Sequence, residues 1–195
     1  MNYNILIAGV GGQGNLLLGR ILAEAALKEG LYPVIGETFG ASRRGGTVYT
    51  HIRISSADIG PLIPKGHLDL LVGLEPLETL RAAIRYADRK TQTIVSLEPV
   101  HTLDSLADEK MYPDISKILE SLNRICKSVR SFDTKAILEQ IGSSKVLNTF
   151  FLGVITELHL TPISAKAIVT KLDDLIGFKG RNKEAYTAGM DASSS

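Results

Sequence analysis

The stretch that most restricts the fold is the first 26 residues, MNYNILIAGVGGQGNLLLGRILAEAA. Tyr3–Ala8 is a continuous apolar run of strand length, the pattern of a strand covered on both faces. It passes through Gly9-Val10-Gly11-Gly12-Gln13-Gly14 into a segment with helical spacing. From Asn15 to Glu29 the residues Leu18, Ile21, Leu22, Ala25 and Ala26 follow the 3.6-residue period, and Gly30 stops it. Leu16-Leu17-Leu18 makes the start of this helix apolar nearly all round, which predicts deep burial there.

The same alternation continues. Leu31–Thr38, Thr47–Ile54, Asp69–Leu74, Gln92–Leu97 and Ser128–Phe132 read as strands. Pro76 opens a helix whose apolar residues Leu77, Leu80, Ile84 and Ala87 share one face. Ile115–Ile125 is amphipathic, and Asp133 or Thr134 caps a helix that ends near Gly142. The last third is helical: Asn148–Leu158, then Ala165–Ile176 capped by Ser164, then a weaker segment over Lys183–Met190. The expected fold class is α/β: a doubly wound, mostly parallel, Rossmann-like sheet with a helical C-terminal cap. No repeat or linker divides the chain, so residues 1–190 are expected to form a single domain, with 191–195 as a flexible tail.

Composition narrows the function classes. A net charge of +1 across 195 residues draws neither nucleic acid nor anionic lipid, and 6% aromatics is little for a base-stacking surface. The single cysteine, Cys126, rules out an internal disulfide and any cluster or zinc site built from this chain's own thiolates. The start has neither a basic n-region nor a long apolar h-region, and no uncharged apolar run reaches the ~18 residues of a spanning helix. The expected location is the cytoplasm.

Gly9, Gly11, Gly12, Gln13 and Gly14 lie in a G-x-G-x-x-G arrangement between strand and helix, the context of a dinucleotide fingerprint. Glycines permit the tight turn, and the helix N-terminus offers free N–H groups to an anion. Glu37 closes the second strand, where an acidic side chain can hold a ribose hydroxyl. The alternative is that the glycines serve only the turn and close helix packing. A P-loop is excluded, because Asn15 stands where the phosphate lysine belongs.

A second loop, Phe39–Gly46, places Arg43 and Arg44 among Ser42, Gly45 and Gly46, just past a strand end. Ligand loops of open α/β sheets gather at that end, and arginine forks grip carboxylates and phosphates. The ordinary alternative is a solvated surface loop. His51, in the following strand, is a candidate polar contact or a satisfied structural histidine. His67, His101 and His159 lack metal-ligand spacing. Asn148 and Asn182 are candidate helix caps.

GVGGQG, GRILAEAALKEG, ETFGASRRGGTVYTHIRI, NTFFLGVI and NKEAYTAG occur in one order along most of the chain. This set resembles the gamma-type subunit or domain of the 2-oxoacid:ferredoxin oxidoreductases, and within that family the short, stand-alone form found in the indolepyruvate enzymes. The resemblance implies a subunit without a catalytic residue or metal of its own. Thiamine diphosphate, magnesium and iron–sulfur clusters are expected on a large alpha subunit, with CoA as co-substrate, ferredoxin as electron acceptor and two copies of each chain. It implies oxidative decarboxylation of an aryl pyruvate to an acyl-CoA by the whole complex, little activity from the chain alone, and an exposed apolar patch where the partner docks. On this reading the glycine loop copies a dinucleotide site without using NAD, and Gln13 and its neighbouring glycines pack or hydrogen-bond at a subunit boundary; side-chain chemistry, rather than the resemblance, assigns Glu37, Ser42, Arg43, Arg44, Gly45, Gly46 and His51 to the partner or CoA surface. An independent NAD(P)-binding oxidoreductase and a purely architectural subunit are the competing readings.

Overall fold

In the computed structural model, residues 2–40, 46–100 and 112–194 are described. β1 (Asn2–Val10) is central and buried from Asn4 onward. With β2 (Pro33–Phe39), β3 (Thr47–Ser55), β4 (Leu70–Gly73), β5 (Gln92–Ser96) and β6 (Ser128–Phe132) it forms a six-stranded sheet of order β2-β3-β1-β4-β5-β6. β1, β4, β5 and β6 pair in parallel. β3 pairs antiparallel with β1 from Asn2↔Ser55 to Val10↔Thr47, and with β2 on its other side. Only β3 therefore runs against the other strands, and the mostly parallel sheet read from the sequence is present.

One connection differs from the simplest reading. β2 does not lie beside β1, because β3 is inserted between them. The side chains explain the order. β3 has apolar bulk on both faces: Ile52 and Ile54 join the core with α1 (Asn15–Lys28), while Tyr49 joins the opposite core. β2 carries Gly36, Glu37 and Thr38 mid-strand and suits an edge.

Helices cover both faces. α1, α5 (Leu147–Glu157), α6 (Ala165–Ile176) and α7 (Arg181–Ser194) pack on one; α2 (Pro76–Tyr86) and α3 (Ile115–Ile125) pack on the other. The short α4 (Thr134–Ile141) follows β6. Asp133 and Ser164 cap α4 and α6, accepting from Ala136 N and Ala167 N. The C-terminal cap depends on two glycines. A Cβ on Gly153 would overlap the Tyr186 carbonyl, and one on Gly189 would overlap the Phe150 carbonyl, so α5 and α7 approach at backbone distance.

Three local features depart from the periodicity. Leu16 is 44% exposed, so the start of α1 is not buried all round. The buried face of α2 carries Thr79, Ala82, Ala83 and Tyr86, leaving Ile84 69% exposed. Thr79 sits directly on Gly73 and donates to the Glu75 carbonyl at 2.6 Å, and that small-residue contact, rather than the leucines, sets the helix's rotation. α7 continues to Ser194, past the Met190 expected, because Ser193 Oγ donates to the Gly189 carbonyl and Arg130 donates to the Ser193 carbonyl.

Candidate functional site

The C-terminal ends of the parallel strands share one edge. The helix after β1 lies on one face of the sheet and the helix after β4 on the other, so the crevice between these strands is the topological switch point, where open α/β sheets take ligands. Here the protein fills it with its own side chain. Gln13 Oε1 accepts from Val10 N at 2.8 Å, and Gln13 Nε2 donates to the Leu74 carbonyl at 2.9 Å. Gly9 is glycine for this reason: a Cβ would meet Gln13 Oε1 at 2.7 Å and Leu74 Cβ at 3.1 Å. Asn15, 2% exposed, donates to the Val48 carbonyl at 2.9 Å. Gly11 N donates to the Gly46 carbonyl at 2.9 Å, joining the glycine loop to the start of β3.

The remaining candidates scatter. Glu37 is exposed and pairs with Thr50, which pairs with Ile7; it is two strands from β1 and set back from the loop edge. A ribose-holding acid belongs beside the end of β1, so this register disfavours the dinucleotide role. His51 is fully buried and level with Leu6, not at an exposed edge. Its Nδ1 accepts from Ile63 N at 3.3 Å and its ring packs edge-on against Tyr86. Burial first, then the Arg85 and Arg53 charges, push its pKa down to about 4. Ser42, Arg43, Arg44 and Gly45 lie outside the described residues, as does His101. Asn182 caps the helix before its own, donating to the Ile176 and Gly177 carbonyls.

Beside the plugged crevice is a cavity of about 960 Å³. Its base is the strand edge at Leu74 and Ser96; α1 and α4 contribute Leu17 and Leu138, and Asn148 comes from the first turn of α5. Ser96 Oγ and Thr134 Oγ1, both buried, share a 2.6 Å hydrogen bond at its wall. Lys135, Glu139, Lys145 and Arg181 stand exposed around it, with Glu98 half-buried. Among the described residues none of these five is in an ion pair. Asn148 is 4% exposed, and its Oδ1 is buried without a hydrogen-bond partner. Its amide lies against Gly14, whose φ is +83°, leaving no room for a Cβ. The sequence marks Gly12–Gly14 and Asn148, but nothing local flags the lysines, Arg181 or the Ser96–Thr134 pair.

Among the described residues no three His, Cys, Asp or Glu side chains are grouped to hold a metal ion. Cys126 is 2% exposed, and burial pushes its thiol pKa up. No described helix is long and apolar enough to cross a membrane.

An open α/β sheet with a glycine turn at its switch point defines a broad class of ligand-edge proteins. Comparison with known proteins identifies the member. The family described as pyruvate ferredoxin/flavodoxin oxidoreductase matches residues 4–192, and the chain belongs to it. The indolepyruvate oxidoreductase subunit IorB of Methanothermobacter thermautotrophicus is 32% identical, covering 89% of this chain and 88% of that one. IorB of Archaeoglobus fulgidus is 33% identical over 86% and 83%. The crystal structure of the gamma subunit of a keto/oxoacid ferredoxin oxidoreductase from Geobacter sulfurreducens has the same fold, with a TM-score of 0.68, 22% identity and 98% coverage of each chain. The chain is thus a subunit of a 2-oxoacid:ferredoxin oxidoreductase.

Proposed function

We propose that this chain is the small subunit of an arylpyruvate, indolepyruvate-type oxidoreductase. The observation that carries this reading is the IorB similarity over nearly the whole of both chains. In the proposed complex a 2-oxoacid loses CO2, its acyl group passes to CoA, and two electrons leave to ferredoxin. A larger cytoplasmic partner, two copies of each chain per complex, carries thiamine diphosphate, magnesium and iron–sulfur clusters. One buried cysteine leaves this chain no thiolate set for a cluster, which is consistent with that division.

Residues 1–190 act as one domain in this reading. The glycine loop, Gly9–Gly14, holds the edge that carries the Ser42–Gly46 loop, and Arg43 and Arg44 meet the partner's cofactor region or the CoA anion. Glu37 belongs to the docking face rather than to a nucleotide site. On the same side of edge strand β2, Ile35 is 41% and Phe39 52% exposed, and Tyr32 before it is 70% exposed. A larger chain covering this strand would bury them.

Co-expression with the large partner, followed by anaerobic purification, tests the assignment. Turnover of indolepyruvate or a related aryl pyruvate with CoA and ferredoxin should require both chains. Reversing Arg43 and Arg44 to glutamate should lower turnover or raise the KM for CoA in an assembled complex. Full turnover by the partner alone would overturn the proposal; unchanged kinetics in the charge-reversed complex would favour a purely architectural role.

A further inference from the structure

We infer that β2 is a receiving edge for strand addition: an extended segment of the larger partner, with a lysine or arginine opposite Glu37, pairs with it and continues the sheet. The inference rests on the proposed pairing with a larger chain and names the contact that makes it.

The register shows which backbone groups are free. Ser55 N donates to the Tyr32 carbonyl at 3.2 Å and Gly40 N donates to the Thr47 carbonyl at 2.8 Å, at the two ends of the β2–β3 ladder. Hydrogen-bonded pairs alternate along an antiparallel ladder, so Val34, Gly36 and Thr38 bond to β3. Pro33, Ile35, Glu37 and Phe39 then turn their backbone groups outward, and no described residue bonds to that row. Sheets usually guard such an edge with lysines, bulges or a covering loop. β2 has no lysine and no bulge, and its only proline stands first. The segment 61–62 crosses a face of the strand, where a Cβ on Gly36 would meet Pro61 Cβ at 2.8 Å, without bonding to the rim.

The side chains fit an arriving strand. Among the described residues, six of the seven large apolar side chains left exposed lie on β2, on the segments before or against it, or on α1, which packs beside it. They are Leu16, Leu27, Tyr32, Ile35, Phe39 and Leu62. Ile35 and Phe39 offer apolar cover on the α1 side of the added strand, and Leu62 offers it on the other.

Charge chooses the occupant. Glu37 shares the α1 side with Ile35 and Phe39, is exposed, and belongs to no ion pair among the described residues. A cation on the arriving strand completes it. A second copy of this chain fits poorly. Antiparallel pairing about Glu37 sets two carboxylates opposite each other. Pairing about Gly36 sets Glu37 against Ile35, and Phe39 against Pro33, which has no N–H to give.

Amide hydrogen exchange, measured on the isolated chain and on the co-purified two-chain complex, tests the contact. In the isolated chain the Ile35, Glu37 and Phe39 amides should exchange fast, and the Gly36 and Thr38 amides slowly. In the complex the first three should slow at least about tenfold. Glu37→Lys should weaken assembly about tenfold, and Glu37→Gln by less. Glu37→Pro removes one outward N–H while sparing the bonds to β3, so the isolated variant should keep its urea midpoint and still assemble poorly. Assembly with the β2 amides as open as in the isolated chain would overturn strand addition and leave the subunit assignment standing. Failure of the two chains to co-purify would overturn both. Slowing of the same amides in the isolated chain as its concentration rises would give the edge to a second copy and overturn the partner strand.

Discussion

The crevice between β1 and β4 and the cavity next to it share one sheet edge and one glycine loop, yet they are chemically opposite. In the crevice Gln13 bridges two strands and Asn15 ties α1 to β3. In the cavity Asn148 Oδ1 has no partner, and the surrounding lysines, with Glu98 and Glu139 beside them, are in no ion pair among the described residues. A glycine fingerprint therefore does not by itself mark a binding site. What distinguishes structure from function is whether the polar groups around it are already matched.

The sharpest way to break this comparison is at Gly14, which belongs to both regions. Its φ of +83° disfavours any side chain, and a Cβ would overlap the Asn148 amide. Gly14→Val should cost about 3 kcal/mol in urea unfolding, combining left-handed strain with displacement of α5. A loss below about 0.5 kcal/mol would mean that the loop is not locked against α5.

Gln13→Ala comes next. It strips the Val10 N–H and the Leu74 carbonyl of their partners at 2.8 and 2.9 Å, with an expected cost of about 2 kcal/mol. Removing the plug should bring no affinity for NAD, because β3 still separates Glu37 from β1. Tight NAD binding by Gln13→Ala would show that the plug, rather than the strand order, closes a dinucleotide site.

The order of strands and helices was legible in the sequence because burial on both faces writes continuous apolar runs, and caps such as Asp133 and Ser164 write their own signals. Strand pairing was not. TVYTHIRI reads as a strand in any position, and its place between β1 and β2 depends on apolar residues pointing both ways, which only the assembled layers make use of. The site was legible in part. The glycines announce a turn at a helix start, but the cavity draws Ser96, Lys135, Lys145, Asn148 and Arg181 from separate segments, each ordinary in its own surroundings. His51 stayed between two readings, a polar contact or a structural histidine, because its sequence neighbours do not say that both faces of β3 are covered and that the ring ends up buried.

His51 extends the comparison to a third matched region, and pH reads it out. Its pKa falls from 6.5 to about 4 in the folded chain, so folding favours the neutral ring. The associated stability is complete above pH 6.5 and is lost as the pH drops from there towards 4, because the unfolded chain takes up the proton first. The loss should be about 2 kcal/mol once solvent screening is allowed for. The difference in urea stability between the native chain and His51→Gln should shrink by that amount across this window. A difference that stays constant would show that the ring is solvated and that its hydrogen bond from Ile63 contributes little.

The smallest effect is the most discriminating. Lys135 and Lys145 are exposed, lie on the cavity rim and belong to no ion pair among the described residues. Removing surface charges without partners usually moves stability by less than about 0.5 kcal/mol, and relief of mutual repulsion can make the change slightly favourable. The double alanine variant should therefore unfold in urea within that margin of the native chain. A loss above about 1 kcal/mol would show that the lysines hold α4 and the turn before α5 in place. The cavity rim would then be as structural as Gln13, and the contrast between the matched and unmatched halves of this edge would disappear.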